Sequence, residues 1–474
     1  MKYLQLKLTM IVLLILSCQQ QPSSTGQFTA KWAKQYAEQA WSESVPEILS
    51  NIILPVFPEK QFVITEEATF LANDIHTAVN IAIKRCHRAG GGRVLIPSGE
   101  WYCAGPIHLL SNVNLHLEEG ATITFSDQAE DYLPLVKVRW EGTVCWNYSP
   151  LIYAFEAKNI AITGKGIIDG NGKNWSKSWR KLQKPDQQRL RQMGNDTIPE
   201  IQRVFGNGFL DQDNDGQDDG FGDGQLHYLR PTTIELYGCQ QILLQDFTVH
   251  NSPFWNVHPV FSQHITINNL RIEGGQLNDD GIDPDSCSDV LVNDCYIATE
   301  DDAIAIKAGR DQDAWHREGS ERIVVQNCQL HSGVNAFTIG SEMSGGVKEI
   351  FVRDCAIAKG KHALTFKTNL DRGGQVGDIF FRNITIDSVQ KALFVFRMDY
   401  HGYRGNNYPT TFEGFYSEQI SCNFVNGSAL KVVGVPNAPI RRLWLKDINV
   451  KEATQANEWQ FVEEVIEEGV SIGN

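Results

Sequence analysis

Residues 242–249 read Ile-Leu-Leu-Gln-Asp-Phe-Thr-Val, and variants of this segment return six times further along the chain. Each copy has alternating apolar residues, then a polar corner, then two apolar or cysteine positions separated by one residue. The first six copies begin 23, 25, 33, 27 and 29 residues apart, and a seventh closes the series. The copies begin at Ile242, Ile265, Val290, Ile323, Ile350, Ile379 and Leu443.

This repetition predicts an all-β protein built as a right-handed parallel β-helix. One repeat is too short to bury its own apolar face, so successive coils must stack on one another. Stacking would bring Cys295, Cys328 and Cys355 into one interior column, with a column of Asn and Asp at the corner beside them. Alternation of period two sends Ile and Val inward and polar residues outward. A leucine-rich repeat is disfavoured because its leucine consensus is absent, and a propeller would need a longer, more regular period.

The first residues have the pattern of a processing signal rather than of a folded element. Lys2 and Lys7 precede an apolar run, 8–16, that is too short to span a bilayer. Cys18 and a polar stretch follow, which resembles a bacterial lipoprotein signal with Cys18 as the acylated residue; an ordinary secretory signal is the alternative. We therefore expect a lipoprotein exported to the periplasm or the outer-membrane surface. Its segments would be a signal peptide (1–18), a linker with a helical lead-in (19–58) and the β-helix catalytic domain (59–474).

The chain is acidic: it has 57 Asp and Glu residues against 42 Lys and Arg residues, for a net charge of −15. Binding to nucleic acid is disfavoured, because it needs a basic face that neutralises phosphates. Of the ten cysteines, nine remain if Cys18 is acylated. An odd number at irregular spacing argues against a disulfide framework, so we expect cysteines to pack as small hydrophobic residues. We also expect the protein to be a monomer.

Three segments outside the repeats have helical character. Residues 28–58 are expected to form the short helical lead-in. Residues 74–86 have helical apolar spacing, with Asp74 as a candidate cap and glycines at 90–92 to end the helix. The basic segment 173–189 is expected to be helical and to form a wall of a cleft.

Two acidic clusters lie at a spacing close to one coil. The first contains Asp279 and Asp280 and the second Asp301 and Asp302; Asp301 follows Asp280 by 21 residues. Neighbouring coils are about 4.8 Å apart, so the two clusters would stack on each other. Carboxylates at such a short distance raise one another's pKa. Glycoside hydrolysis needs such a set: one carboxyl group protonates the leaving oxygen and another activates water, about 6.5–9.5 Å away in inverting enzymes. The alternatives are solvated turns and a calcium site.

With these clusters the chain resembles the polygalacturonases and their relatives, glycoside hydrolase family 28, which have the pectin-lyase-like β-helix. The resemblance covers most of the chain from about residue 70 to 390. It is most specific at 278–281, Asn-Asp-Asp-Gly, and at 301–307, Asp-Asp-Ala-Ile-Ala-Ile-Lys. It implies that Asp301 is the acid and that Asp280 and Asp302 hold and activate water. The implied activity is inverting hydrolysis of an α-glycosidic bond in a galacturonate- or rhamnogalacturonan-type pectic polysaccharide or oligosaccharide, with no cofactor required for catalysis.

Two positions depart from the family pattern. Asn335 stands where the family has the histidine of Gly-His-Gly, and Thr365 stands where it has the arginine of Arg-Ile-Lys. Thr cannot replace the bidentate grip of Arg on a carboxylate. We therefore expect a different sugar at that subsite, or else a relative that binds carbohydrate without cutting it. The candidate substrate-binding residues are Asn278, His258, Lys307, Arg310 and Lys367.

An acidic segment at 210–220 interrupts a region that the family keeps shorter. Its alternating Asp211, Asp213 and Asp215 before a glycine resemble a structural calcium loop, although the closing glutamate of an EF-hand is missing. A solvated insertion is the alternative. A β-helix polysaccharide lyase, which abstracts a proton with a Lys or Arg base, is the other enzyme class that the sequence leaves open.

Overall fold

The predicted parallel β-helix is confirmed in a computed structural model, which describes residues 27–206 and 225–473. Each turn of the chain, which we call a coil, contributes short strands that pair in parallel with the next coil along three faces. The strands of the first face are Gln61–Val63, Gly92–Ile96, Val113–Leu117, Lys158–Gly164, Gln240–Gln245, Gln263–Asn268, Ser288–Asn293, Ser320–Gln326, Ile440–Val450 and Val462–Glu468.

The other two faces have shorter strands, and three long strands bend round all three faces. The second face consists of Gly99–Cys103, Ala121–Phe125, Ile167–Asp169, Thr248–His250, Arg271–Glu273, Tyr296–Thr299, Gln329–Ser332 and Ser471–Ile472. The third face consists of Ile107–Leu109, Ile152–Phe155, Ile234–Tyr237, Val257–Val260, Ile304–Ile306, Asn335–Gly340, Ala453–Gln455 and Glu458–Gln460. The long strands are Val347–Lys367, Gln375–Arg397 and Thr411–Val433.

The remaining elements lie outside the coils. A hairpin of Val136–Trp140 and Thr143–Asn147 is antiparallel, and Val204–Phe205 joins it. The described part of the chain contains no helix with the length and apolarity that a bilayer crossing requires. The α-helices are Ala30–Gln39, Val45–Asn51, His76–Arg88, Arg180–Leu182, Lys184–Asn195 and Asp311–Ala314. The π-helical turns are Ala40–Ser44 and Trp175–Trp179, and the 3-10 turns are Ile64–Glu66, Ala129–Tyr132 and Glu200–Gln202.

The helix predicted at 74–86 is observed at His76–Arg88. Asp74 Oδ1 accepts the backbone amide of His76 at 3.0 Å, as expected of a residue that satisfies a free amide at a helix start. Val79 and Ile83 are fully buried against the first coil. The helix therefore covers the apolar interior at the N-terminal end of the β-helix.

The predicted corner column of Asn and Asp is confirmed. Asp246, Asn269, Asp294, Asn327 and Asp354 have φ between 53° and 71°. Asn and Asp adopt this left-handed conformation more readily than other residues with a Cβ. Neighbours in the column also bond to each other: Asn269 Nδ2 donates to Asp246 Oδ1 at 2.7 Å. The corner thus bends the chain from the first face to the second at the same place in every coil.

The predicted cysteine column is also confirmed. Cys295, Cys328 and Cys355 are buried on successive coils, and the thiol of Cys328 contacts both of its neighbours. On the next coil Ile384 is in register with Cys355, so the column continues with an aliphatic side chain. All nine cysteines of the described residues are buried and free, as the odd count predicted.

The series of coils does not close at Leu443 as the repeats suggested. The strand Thr411–Val433 forms a coil between those of Ile379 and Leu443, and Val462–Glu468 forms another after it. The first was missed because Gln419, with φ of 56°, stands at the corner in place of Asn or Asp. The second was missed because glutamates fill much of its strand.

The expectation that outward positions are polar is wrong on one strip of the first face. There Val324, Phe351, Phe380, Tyr416 and Trp444 are in register on five successive coils and are all at most 2% exposed. The rings stack, with centroids 4.7 Å apart for Phe351 and Phe380 and 4.9 Å apart for Phe380 and Tyr416. The lead-in helices at 30–51 pack over this strip and make it a second core.

Replacing Phe380 by Ala should lower the free energy of unfolding by about 3–5 kcal/mol, because it leaves a cavity under the lead-in helices. Chemical denaturation followed by tryptophan fluorescence measures this loss. Phe424→Ala, at a position 36% exposed, is the control and should cost less than about 1.5 kcal/mol. Equal losses in the two variants would contradict the idea that strip and helices form one packed core.

Candidate active site

The predicted acidic trio comes together at the beginning of the third face. Gly281 N donates to the carbonyl oxygen of Asp302 at 2.9 Å, so the loops that carry Asp280 and Asp302 stack on successive coils. Asp301 directly precedes Asp302 and turns its side chain to the same point. One carboxylate oxygen from each of the three residues lies within 4.8 Å of the other two.

A fourth aspartate, Asp279, fixes the spacing of the trio without joining it. Its buried carboxylate accepts the backbone amides of Gly275 at 2.8 Å and of Glu300 and Asp301 at 2.9 Å each. Burial raises the pKa of Asp279, and these amide hydrogen bonds oppose that rise. The two acidic loops are thus joined by hydrogen bonds to one side chain, which holds Asp280 opposite Asp301.

Two donors hold both oxygens of Asp302. Lys367 Nζ lies 2.6 Å from Asp302 Oδ2, and Asn335 Nδ2 donates to Asp302 Oδ1 at 2.5 Å. These two bonds fix the plane of the carboxylate. Lys367, a candidate substrate-binding residue, therefore lines the cavity, and its amino group is bonded to Asp302.

The other two carboxylates have weaker donors. Lys307 Nζ lies 3.4 Å from Asp280 Oδ2, and Asn278 Nδ2 donates to Asp301 Oδ2 at 3.3 Å. Asn278 Oδ1 in turn accepts from Arg230 Nη2 at 2.8 Å. Asn278 therefore lies at the site, as predicted, and holds Asp301.

Burial raises the pKa of two carboxyl groups of the trio. It raises the pKa of Asp301 to about 6, helped by the neighbouring Asp302, and Lys307 and Lys367 oppose the rise. Burial, followed by the charge of Asp301, also raises the pKa of Asp280 well above its usual range. Adjacent carboxylates in a poorly solvated site cannot all ionise together. The trio therefore retains a proton near neutral pH, which a general acid requires.

One oxygen from each carboxylate of the trio lies within 4.8 Å of the other two. This distance joins single oxygens, whereas the separation of about 6.5–9.5 Å in inverting enzymes is measured between carboxyl groups. The stacking of adjacent coils explains the short distance, because it places side chains at the strand spacing of about 4.8 Å. The separation alone therefore does not decide the stereochemical outcome.

Lys307 and Arg310 line the cavity above the trio, but both are already ion-paired. Lys307 Nζ lies 3.4 to 3.8 Å from three carboxylates, those of Asp280, Asp283 and Glu342. Arg310 is bonded to Glu342 and lies 3.6 Å from Glu141 Oε2. Both residues therefore line the cavity, and their role in holding a uronate carboxylate stays a prediction. Nothing near Lys307 or Arg310 in the sequence indicates Glu141 and Glu342 as their partners.

His258 does not face the cavity, which corrects its predicted role in binding substrate. Its side chain is fully buried between Glu235, 3.6 Å away, and Asp285, 3.4 Å away. Burial alone would lower the pKa of His258, but the hydrogen bonds to these two carboxylates outweigh it and raise the pKa to about 9. Trp255, which contacts the ring of His258, lines the cavity instead.

The trio lies in a cavity of about 340 Å³. One side of the cavity is the wall, residues 173–206, whose helices confirm the expectation for 173–189. The other side is the strap, residues 398–410, which follows the strand Gln375–Arg397 and brings Tyr400 and His401 into the cavity. A Cβ built on Gly402 would lie 4.0 Å from Arg191 Nη1, so strap and wall approach each other.

Comparisons with known proteins identify the family. The sequence profile of glycosyl hydrolases family 28 matches residues 200–466, more than half of the chain. The chain belongs to this family. It is a glycoside hydrolase, and the resemblance read from the two acidic clusters is confirmed.

Individual relatives agree with the family assignment. A probable polygalacturonase from Vitis vinifera is 28% identical over 81% of this chain and 72% of that protein. An exo-poly-alpha-D-galacturonosidase from Dickeya chrysanthemi is 26% identical over 76% of this chain, which spans 61% of that relative. The crystal structure of a hyperthermoactive exopolygalacturonase from Thermotoga maritima matches with a TM-score of 0.83 at 30% identity. It covers 91% of this chain and 96% of that protein.

Sequence reasoning missed several residues that line this hydrolase cavity. Arg191 is bonded to Glu141 at 2.6 Å, and both come from segments outside the repeats. Nothing in the sequence marked Glu342 as a partner of two cations. Tyr400 and His401 could have been suspected only from the unusual density of aromatic residues after position 399. The predicted calcium residues Asp211, Asp213 and Asp215, and the acylated Cys18, lie outside the described residues.

The charge of Lys307 should set the pH range of the hydrolase. Lys307→Met removes a cation that lowers the pKa of both Asp280 and Asp301. The pH profile of kcat/KM should therefore move upward by about one unit, since an opposite charge at this distance shifts a carboxyl pKa by about 1–3 units. In the parent, activity should fall as pH rises above about 6, where Asp301 loses its proton.

Lys184→Met is the matched control for this profile. Lys184 lines the same cavity from the exposed surface of the wall and does not contribute to the shifts of the trio. Its removal should leave both limbs of the profile in place. An unchanged profile in Lys307→Met would show that Lys307 does not control the acid.

Proposed function

We propose that the chain is an exo-acting galacturonidase that removes terminal α-linked galacturonate from a pectic galacturonan by inversion. The observation that carries this proposal is the position of the trio in a cavity between wall and strap. A volume of about 340 Å³ lies at the small end of ligand pockets. Such a space suits the end of a polysaccharide chain better than an internal stretch of the polysaccharide that passes through it.

In the proposed reaction Asp301 protonates the glycosidic oxygen as the leaving sugar departs. Its raised pKa of about 6 provides the proton. Asp280 and Asp302 orient a water molecule, and the one that is ionised accepts the water's proton as its oxygen bonds to the anomeric carbon. Lys367 and Asn335 keep Asp302 in place during this step.

Cations on the wall are suited to recognise the uronate carboxylate. Arg180 and Lys184 are exposed and line the cavity. Arg180 uses Nε for a 3.3 Å hydrogen bond to Asn278, and it forms no ion pair with any described residue. Cations that are not already paired can form charge-assisted bonds with a carboxylate. This arrangement supports a uronate substrate although Lys307 and Arg310 are engaged.

The comparisons support the exo mode in particular. The Thermotoga maritima protein, with a TM-score of 0.83 over 91% of this chain, is an exopolygalacturonase. The Dickeya chrysanthemi relative acts as an exo-poly-alpha-D-galacturonosidase, at 26% identity. A lyase mechanism with a lysine base is disfavoured by the cavity, because such a lysine must be neutral. Neighbouring carboxylates outweigh the effect of burial and raise the pKa of Lys307 and of Lys367, which keeps both protonated.

Product analysis on polygalacturonate tests the proposal. Monogalacturonate should be the sole early product, viscosity should fall little at low conversion, and proton NMR should show the β anomer first. Asp301→Asn should lower kcat by at least about 100-fold, because acid catalysis contributes about 10²–10⁴-fold. An early ladder of oligomers would refute exo action. Ultraviolet-absorbing products would indicate a lyase, cleavage of rhamnogalacturonan alone would refute the substrate, and an initial α anomer would refute inversion.

A matched pair of variants tests the role of the strap. Arg404 Nη2 lies 2.7 Å from Asp311 Oδ2, and Arg404 N donates to Asp371 at 2.5 Å, so this residue anchors the strap. Arg404→Met should release the strap and add short oligomers to the products. Arg441→Met is the control, since Arg441 pairs with the exposed Glu463 and does not line the cavity. Identical products from both variants would argue against closure of the cavity by the strap.

We further propose that the protein is an exported lipoprotein, monomeric, and anchored through Cys18 at the periplasmic or outer-membrane surface. Catalysis needs no cofactor in this scheme, and the segment with Asp211, Asp213 and Asp215 is our candidate for a structural calcium site. In a bacterial host the full-length protein should fractionate with membranes. Cys18→Ser should not be acylated and should lose detergent-phase partitioning. A Cys18→Ser protein that partitions like the parent would refute the anchor.

A further inference from the structure

A buried hydrogen-bond network lies behind Asp302. Asn335 Nδ2 donates to Asp302 Oδ1 at 2.5 Å, and Asn335 Oδ1 accepts two hydrogen bonds. Thr365 Oγ1 lies 2.9 Å from this oxygen, and His362 Nδ1 also lies 2.9 Å from it. Thr365 and His362 each reach the catalytic carboxylate only through the amide of Asn335.

The strand register places this network. Asn335 pairs with His362 on the next coil, and Ala303 N donates to the carbonyl oxygen of Asn335 at 2.9 Å, one coil back. Asn335 is 3% exposed and Thr365 is 2% exposed, and neither lines the cavity that holds the trio. The network therefore acts from within the protein, beside the cavity.

The carboxylate of Asp302 decides which way the amide of Asn335 points, because Asp302 Oδ1 accepts from the NH₂ group. The amide oxygen then faces the Thr365 hydroxyl and His362 Nδ1. In the reversed orientation the amide oxygen would face the carboxylate oxygen, with no donor between them. A buried donor or acceptor left without a partner is costly, so the observed orientation is strongly preferred.

His362 can act as a donor only if Nδ1 carries the proton. Burial lowers the pKa of His362 to about 4, and the nearby Lys391, Arg397 and Lys367 act in the same direction, against Asp302. The imidazole is therefore neutral near pH 7, with one proton to place on either nitrogen. The contact with the amide oxygen of Asn335 selects the Nδ1–H tautomer.

We propose that Asn335, Thr365 and His362 are positioning residues that fix the orientation of Asp302 toward the catalytic water. Lys367 holds Oδ2 at 2.6 Å, and Asn335 holds Oδ1 at 2.5 Å. The lone pairs of the carboxylate that these two bonds leave free can then accept from water, and they lie in a plane that the protein sets. The role of Asp302 rests on the proposed function, whereas the hydrogen-bond network itself does not.

The tautomer of His362 provides a test that needs no substrate. In protein labelled with ¹⁵N-histidine, the resonance lost in His362→Leu identifies His362 in long-range proton–nitrogen spectra. Near pH 7 its Nδ1 should carry the proton, and in Asn335→Leu the ring should change to the Nε2–H form. A ring that is Nε2–H in the parent, or that is unaffected by Asn335→Leu, overturns the proposal.

Matched pairs of variants test the effect on catalysis. Thr365→Val and His362→Leu each remove one donor, whereas Thr365→Ser keeps the hydroxyl and His362→Asn places an amide nitrogen near the position of Nδ1. The two donor-free variants should lower kcat about 5- to 50-fold with KM within about twofold, as small misplacement of a catalytic group does. The two conservative variants should restore most of kcat. Equal losses in both members of a pair, or a change in KM alone, overturn the proposal.

His331→Leu is the control for loss of a histidine. His331 lies on the second face, where its ring contacts Tyr296 at 5.1 Å, and it should be dispensable for kcat. A thermal melt of every variant separates loss of fold from loss of alignment. If the parent does not hydrolyse galacturonan but the histidine spectra are as expected, the proposed function fails and the network stands.

Discussion

Parallel stacking of coils in register is the constraint on which the site depends. Hydrogen bonds between successive coils hold equivalent positions about 4.8 Å apart, so side chains at one position form a column. On the third face such a column contains Asp280, Asp302, Asn335 and His362. The column brings two acids together and then provides an amide and an imidazole that orient the second acid.

The cost of burying so many carboxylates is met by cations from other coils. Glu342 has its pKa held well below the usual range by Arg310, Lys307 and Arg372, although burial acts to raise it. Lys307 also lies 4.4 Å from the ring centre of Trp255. Removing one charge from a buried network leaves its partner uncompensated, which is more costly than the pair itself. The charges around the trio are therefore interdependent. A cation that lines the cavity can already be paired with a carboxylate of the protein.

The parts predicted from sequence are those set by local pattern. Repeats of the segment at 242–249 predicted the coils, and the 21-residue spacing of two acidic clusters predicted the trio. The two coils that were missed depart from the local pattern, whereas the errors about the site depend on contacts between distant segments. His258 is buried because Glu235 and Asp285, on neighbouring coils, enclose it. Nothing near Lys307 in sequence indicates Glu342 as its partner, and the outward aromatic strip makes sense only under the lead-in helices.

The two departures from the family pattern are neighbours in space. Thr365 Oγ1 donates to Asn335 Oδ1, so the residue at each position suits the residue at the other. An arginine at 365 would place a second cation beside Lys367, whereas threonine provides one short donor to the amide. Under the proposed function, carboxylate recognition then falls to cations outside the coils, and the wall carries Arg180 and Lys184 at the cavity. A substrate held from the wall and stopped by the strap would be held by its end, so the altered coil and the position of the strap favour the same mode of action.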